Sequence, residues 1–407
     1  MTLLKALLIG SDPGLMGPIP PLLSRAGFVI DVISQSPLLQ KTPKIRGLTY
    51  VYSDEEVLET LRIQTARDQS DWQYDLVIIS DDVTLSLILQ SNLPKKIKVS
   101  LLPVTSELHF GHLYSKIGLS QALLAGHILT PKYAVAQNTA ELIPLANTLG
   151  YPVVIKIDAS SGGSGVFICQ SNQDISDLLI NQHERINCSL PLLIQEKIEG
   201  STLDLSAFYQ DGQLIYFSHA VEERTTYPLG PSCLRTYTQL GALDQAIFTE
   251  LAAIGKALGA DGFSNITSVW SNIDRKRYII EADMRPNVWA DYSRYLGNDL
   301  AIPIKTYFEN RQILHYPQTI NEQFSSTLLI PLVSRLKFWE ILVNRYGVWQ
   351  FSTGEQIIRR LIGHPIAKLR NVAIQHLKPV IPARIWLILE KYFALTKIKI
   401  IYLLSRY

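Results

Sequence analysis

Residues Tyr278–Asn287 read YIIEADMRPN. Tyr278, Ile279 and Ile280 have the texture of the end of a buried strand. Glu281, Asp283, Arg285 and Asn287 then follow at every second position. A strand has period two, so the four polar side chains share one face, with Ala282 and Met284 on the other. Pro286 cannot donate to a ladder and ends the strand. Two carboxylates, a guanidinium and an amide on one face are costly to bury unless something pairs with them. The stretch is therefore either an exposed edge strand with a salt bridge, or a strand that faces a divalent metal and phosphate.

The upstream sequence bears on that choice. Lys116–Ala125 (KIGLSQALLA) fits an amphipathic helix stopped by Gly126, and ILTPKYAVAQ returns in extended form. A second helix covers Asn138–Leu149, with Gly150 as its stop. The buried strand YPVVIKI then carries Lys156, and a lysine inside an apolar strand is expensive unless its ammonium meets an anion. Ser161, Gly162, Gly163, Ser164 and Gly165 follow before the strand FICQ. Such a loop either turns a hairpin or lays backbone N–H groups over phosphates, and the incoming lysine favours anion binding. Another helix centres on 175–183. LLIQEKIEG places Gln195, Glu196, Lys197, Ile198 and Glu199 at the end of an apolar strand, where backbone groups can meet an adenine edge. Residues 203–221 form a hairpin around Asp211-Gly212. Glu222–Gln239 reads as a polar loop holding Arg224 and Arg235. Phe248–Leu258 is a helix stopped by Gly259, and residues 262–270 and 276–283 make a second hairpin.

The first hundred residues have a different pattern. LLKALLI (3–9) and FVIDVIS (28–34) are strands joined by a glycine-containing loop, Gly10–Gly17, and a helix stopped by Gly27. DLVIIS (75–80) and KVSLLPV (98–104) read as later strands of the same open sheet. The Gly10–Gly17 loop lacks GxGxxG spacing, and its glycines read as turn formers.

In this order the motifs resemble the ATP-grasp superfamily, in its carbamoyl-phosphate-synthase and biotin-carboxylase-like branch of carboxylate–amine ligases. The resemblance covers roughly residues 1–310. It implies an α/β (α+β) chain: a Rossmann-like pre-ATP-grasp domain (1–112), a two-lobed ATP-grasp domain (113–310) and a C-terminal, mostly helical, basic extension (311–407). It further implies an ATP-dependent ligase that activates a small-molecule carboxylate as an acyl phosphate for attack by an amine. The expected cofactors are ATP and magnesium or manganese. Lys116 and Lys156 would contact phosphate, residues 161–165 would cover it, and residues 195–199 would form the adenine hinge. Glu281 and Asp283 would hold the metal, while Arg235 and Arg285 would face the transferred phosphate. Two positions depart from the family pattern. Thr267 stands where a first metal carboxylate is expected, and Thr202 stands where a ribose-holding Glu is expected, with Glu199 or Asp204 as substitutes. A catalytically weakened nucleotide-binding or regulatory protein is therefore the rival reading.

The bulk numbers agree with such a chain. With 407 residues, 47% hydrophobic and 18% charged, it has material for two or three domains. Its three cysteines, Cys169, Cys188 and Cys233, have no zinc or disulfide spacing and suit a reducing cytoplasm. No uninterrupted apolar run is long enough for a membrane span, and the N-terminus does not read as a secretory signal. The charge is uneven: Arg335–Tyr407 holds 13 Lys/Arg and 3 Asp/Glu, and the rest holds 25 and 33. With helical apolar stripes such as Leu336, Trp339, Leu342 and Val343, the tail could pack on the acidic body or lie on the inner face of an anionic membrane. No nucleic-acid motif accompanies the charge. An oligomer is compatible with the sequence.

Overall fold

The computed structural model describes residues 3–332 except 37–38, 40–43, 67–73, 315–316, 318 and 320. The basic tail 335–407, with its expected helices and membrane contact, lies outside the described residues. So does the rest of the expected helical extension beyond 332.

Four strands open the chain: β1 (Leu4–Gly10), β2 (Phe28–Ser34), β3 (Ile45–Tyr50) and β4 (Leu76–Ile79). They form a parallel sheet in the order β3-β2-β1-β4. Both faces of a parallel sheet are covered, which is why β1 and β2 read as near-continuous apolar runs. Ala6, Leu8, Ile30 and Val32 pack on one side with the helix Ile19–Arg25, and Leu7, Ile9 and Ile33 pack on the other. The expected strand 98–104 is instead the helix Lys95–Leu101. A short apolar run does not distinguish helix from buried strand by periodicity. Here Pro94 accepts the Lys98 N–H, and Lys98 Nζ donates to the Leu89 carbonyl at 2.7 Å, which turns the chain into a helix.

The second sheet contains β5 (Tyr133–Ala136), β6 (Val153–Ile157), β7 (Val166–Cys169) and β8 (Leu192–Glu196), in the order β5-β8-β6-β7 and wholly antiparallel. Its apolar face packs on the helices Leu142–Leu149 and Asn172–Asn181.

The third sheet is the largest. It comprises β9 (Gly200–Gln210), β10 (Gln213–Thr225), β11 (Ser232–Thr238), β12 (Gly262–Ser271), β13 (Arg277–Asp283) and β14 (Thr327–Pro331). The order is β13-β12-β9-β10-β11-β14. Both expected hairpins form, and Asp211 and Gly212 carry the positive φ angles, 52° and 75°, that a tight hairpin turn requires. The stretch 222–239 is not a polar loop. Glu222 and Arg224 lie on β10, Arg235 lies on β11, and only residues between Thr225 and Ser232 connect them. Alternating charges on a strand with one polar face mimic a loop in composition. The expected helical extension after residue 310 contains a strand, β14, which pairs with β11 and carries this sheet beyond the boundary placed at 310.

One face of the large sheet buries Leu205, Ala207, Ile266 and Ile279 against the helices Gln245–Leu258 and Lys116–Ala125. Leu251 is fully buried at the centre of that contact. Leu251→Ala is expected to destabilise the folded chain by about 2–5 kcal/mol, the usual range for a fully buried leucine. Urea unfolding followed by tryptophan fluorescence would measure it, and a loss well under that range would mean the helix is not a core element.

Candidate active site

The other face of the large sheet is polar at one end. Ladder pairing brings Glu281, Thr267 and Asp204 side by side on β13, β12 and β9, and sets Asp283 beside Asn265 in the next row. Glu222 pairs with Arg235 on the neighbouring strands β10 and β11. Strict alternation does not generate this face. Ile279 is buried in the core, so Glu281 two residues on would also point inward. The register shifts between Thr267 and Ser268, which pair with Glu281 and Ile279, leaving Ile280 as an extra residue. This β-bulge turns Glu281 and Asp283 to the polar face and Ala282 and Met284 to the core. β13 ends at Asp283, and Pro286 lies beyond it. Asn287 is still tied to the row, since its amide donates to Asn265 Oδ1.

Lys156 reaches this face from the second sheet. It is only 8% exposed, and its Nζ donates to the Ile280 carbonyl at 3.1 Å. Burial lowers its pKa to about 8, against the pull of Glu281 and with the help of nearby Lys116. Lys116 lies in the first turn of its helix, and its Nζ donates to the Asp158 carbonyl at 3.1 Å, to Ser160 Oγ at 3.2 Å and to the Ser160 carbonyl. Asp158, which the sequence reading passed over, caps that helix. It accepts from Ser115 Oγ at 3.0 and 2.9 Å and from the Ile117 N–H at 2.8 Å. Its signal was its place two residues after the strand lysine.

The Ser161–Gly165 turn joins β6 to β7 beside Lys116. Gly162 and Gly163 have φ angles of 61° and 76°. A Cβ on Gly163 would lie 1.8 Å from the Leu229 carbonyl oxygen, and Tyr227 Oη donates to the Gly162 carbonyl at 2.9 Å. The β10–β11 connection therefore rests on the glycine turn. Ser164 Oγ donates to the Ser161 carbonyl at 3.0 Å. At the far end of the second sheet, Gln195 is buried and donates to Ser120 Oγ at 3.2 Å. The Glu196 and Lys197 N–H groups donate to the Lys132 and Pro152 carbonyls, and Lys197 pairs with Glu199. Ile198 lies between them in the connection to β9.

Arg235 is sandwiched. Its Nη2 meets Asp204 Oδ2 at 2.9 Å, its Nε donates to Ser232 Oγ at 3.0 Å, and its guanidinium carbon lies 4.7 Å from the Trp289 ring centre. Thr267 Oγ1 donates to Asp204 Oδ1 at 3.2 Å. Burial holds the Asp204 carboxyl up, with Arg235 and Thr267 opposing. Burial, with Asp204, likewise pushes Glu222 up to about 7. Asp204 is thus paired inside the sheet, whereas Glu199 pairs with Lys197 through one oxygen and stays largely exposed. Arg285 meets Asp283 at 3.0 Å and forms a two-pronged pair with Asp82, which lies just beyond β4. Burial works against its charge, and Asp283 and Asp82 outweigh that and raise its pKa. Burial pushes Asp283 up, while Arg285 draws it down.

Among the described residues no three His, Cys, Asp or Glu side chains are grouped so as to hold a metal by themselves. Glu281 and Asp283 offer oxygen donors on one face. That set suits a hard divalent cation that keeps water and phosphate oxygens as its other ligands.

Known proteins resemble this chain in part of its sequence and in its fold. Residues 122–198 match the family model for the carbamoyl-phosphate synthase L chain, ATP binding domain. The carbamoyl phosphate synthase large chain of Arthrobacter sp. (strain FB24) is 26% identical over 172 residues, covering 41% of this chain and 15% of its own length. The chain therefore spans a small part of the curated relatives it matches. The N5-carboxyaminoimidazole synthetase of Staphylococcus aureus, solved with ADP, superposes with a TM-score of 0.63 at 12% identity over 86% of this chain and 89% of that one. The biotin carboxylase domain of Hydrogenobacter thermophilus 2-oxoglutarate carboxylase, solved with MgADP and bicarbonate, gives 0.63 at 12% identity over 81% and 74%. The fold is that of the ATP-grasp proteins, and residues 122–198 resemble the ATP binding domain of the carbamoyl-phosphate synthase L chain. No helix among the described residues is long and apolar enough to cross a membrane.

An anion is held by Lys156 only in its charged form. Affinity for ADP is expected to fall as pH rises through the Lys156 pKa of about 8. Lys156→Met is expected to lower affinity by about tenfold or more, the scale of one charged hydrogen bond, and to flatten the fall above pH 8. Calorimetry between pH 6.5 and 9.5 would show it; an unchanged slope in the variant would remove Lys156 from the site.

Proposed function

We propose that this chain is an ATP-dependent ligase that phosphorylates a small-molecule carboxylate and passes the acyl group to an amine. The observation that carries the reading is the convergence of Lys116 and Lys156 beside Glu281, under the glycine turn. In this reading the hinge 195–199 takes the adenine, and the turn 161–165 offers N–H groups to the phosphates. Lys116 and Lys156 hold phosphate oxygens. Magnesium or manganese, held by Glu281 and Asp283, would spread the charge of the phosphates. A substrate carboxylate oxygen bonds to the terminal phosphorus as the bond to the ADP oxygen breaks. Arg235 and Arg285 offset the charge on the transferred group. The amine nitrogen then bonds to the acyl carbon, and phosphate leaves. Catalysis of this kind is mostly positioning and charge neutralisation.

A second reading, a nucleotide-binding protein with weakened catalysis, is favoured by Thr267. It faces Glu281 directly across the ladder and offers a hydroxyl where the resemblance expects a carboxylate. Metal-dependent ADP release with pairs of candidate carboxylates and amines is the expected result for the ligase. Absence of both binding and thermal stabilisation by ATP with magnesium would defeat both readings. Thr267→Glu separates them: tighter magnesium binding or a gain in turnover marks a weakened site, whereas ligase turnover by the wild type dismisses the weakened-protein reading.

A further inference from the structure

The first domain ends in a small acidic platform. β1 and β4 run parallel and finish together, with Ile9 paired to Ile79. Just beyond β4, Asp81 is 4% exposed. Its Oδ2 accepts from the Ser11 N–H at 2.7 Å and the Asp12 N–H at 3.2 Å, and its Oδ1 accepts from the Thr84 N–H at 2.9 Å. One carboxylate thereby ties together the loop after β1, the end of β4 and the first turn of the helix Asp82–Gln90. Gly10 is required for this closeness, because a Cβ there would lie 1.8 Å from Ser80 Oγ. The glycine loop after β1 thus wraps the Asp81 carboxylate.

The next residue, Asp82, reaches across to the large sheet. Its oxygens accept from Arg285 Nε at 2.5 Å and Nη2 at 2.7 Å, and the two side chains are 18% and 11% exposed. Such a fork-to-fork pair fixes orientation as well as charge. It takes the Nε–Nη2 edge of the guanidinium, with Asp283 also on Nη2 at 3.0 Å, and leaves Nη1 with a long contact, 3.4 Å, to the Pro286 carbonyl. A guanidinium already held on one edge loses less freedom when the other meets an anion.

We propose that Asp82 is a positioning residue for Arg285, so that the first domain aims the guanidinium that meets the terminal phosphate of the nucleotide. The proposal rests on the phosphate role given to Arg285 above. It makes the first domain a working part of the phosphoryl site and not only a neighbour of it.

The test compares AMPPNP, which carries a terminal phosphate, with ADP, which does not. Affinities are measured by calorimetry on the full chain with magnesium. Arg285→Gln and Asp82→Asn are each expected to weaken AMPPNP by about tenfold, the scale of a charged hydrogen bond, and to leave ADP within about twofold. The double variant is expected to be no weaker than Arg285→Gln alone, since both changes remove one interaction. Asp82→Glu keeps the charge but displaces it by a methylene, and is expected to weaken AMPPNP selectively by less. It carries the test by the same criterion if Asp82→Asn does not fold. If Arg285→Gln discriminates between the nucleotides and the Asp82 variants do not, the positioning role is overturned and the phosphate role of Arg285 stands. If Arg285→Gln does not discriminate, both fall.

Discussion

A charged lysine at the end of a buried strand is the constraint on which this structure depends. Lys156 is fixed by its neighbours: Ile155 and Ile157 are sealed in the core of the second sheet, so the backbone cannot move to relieve the ammonium. Its charge has to be met from outside that sheet. The bulge at Ile280 meets it in two ways. The Ile280 carbonyl accepts the ammonium, and the shifted register turns Glu281 toward it. Without the extra residue, Glu281 would pair with Ile266 and point into the core. One irregular residue thus joins two sheets electrostatically.

Once Glu281 faces the polar side, the rest of that face follows from strand pairing. Thr267 and Asp204 are its neighbours along the ladder, and Arg235 closes on Asp204. The threonine hydroxyl donates to Asp204 rather than adding a further charge beside Glu281. The site therefore keeps a buried carboxylate close to the expected row, but one strand further over and already paired with an arginine. This pairing is physically coherent: a second unpaired carboxylate next to Glu281 would raise the cost of burial for both.

Much of this was legible in the sequence where signals are local. The β1, β2 and β4 runs, the Asp211-Gly212 turn, the helix stops at Gly126, Gly150 and Gly259, the strand lysine and the glycine turn all announce themselves within ten residues. The failures have two causes. Residues 98–104 and 222–239 were misassigned because composition does not separate a short apolar helix from a strand, or a charged strand from a loop. The bulge, the Asp82–Arg285 pair and the Asp204–Arg235–Thr267 cluster were invisible because they depend on register and on contacts between distant segments. Asp82 and Arg285 stand 203 residues apart. Alternation placed Glu281 and Asp283 together correctly, but it could not show that Ile279 faces the other way.

The charges that face one another across this site do not balance. Lys116, Lys156, Arg235 and Arg285 meet Glu281, Asp283, Asp82, Asp204 and Glu222, so the carboxylates outnumber the cations. Burial answers by pushing both the Asp283 and the Glu222 carboxyls up, Glu222 to about 7. A polyphosphate entering alone would add negative charge to a face where carboxylates already outnumber cations, and in a partly desolvated site charges are weakly screened. A divalent cation arriving with the phosphates reverses the sign of the problem. Held by Glu281 and Asp283, such a cation would leave the lysines to the phosphate oxygens. Under the proposed function, a metal–nucleotide complex would therefore suit this face better than the free nucleotide, with no requirement for a carboxylate at Thr267.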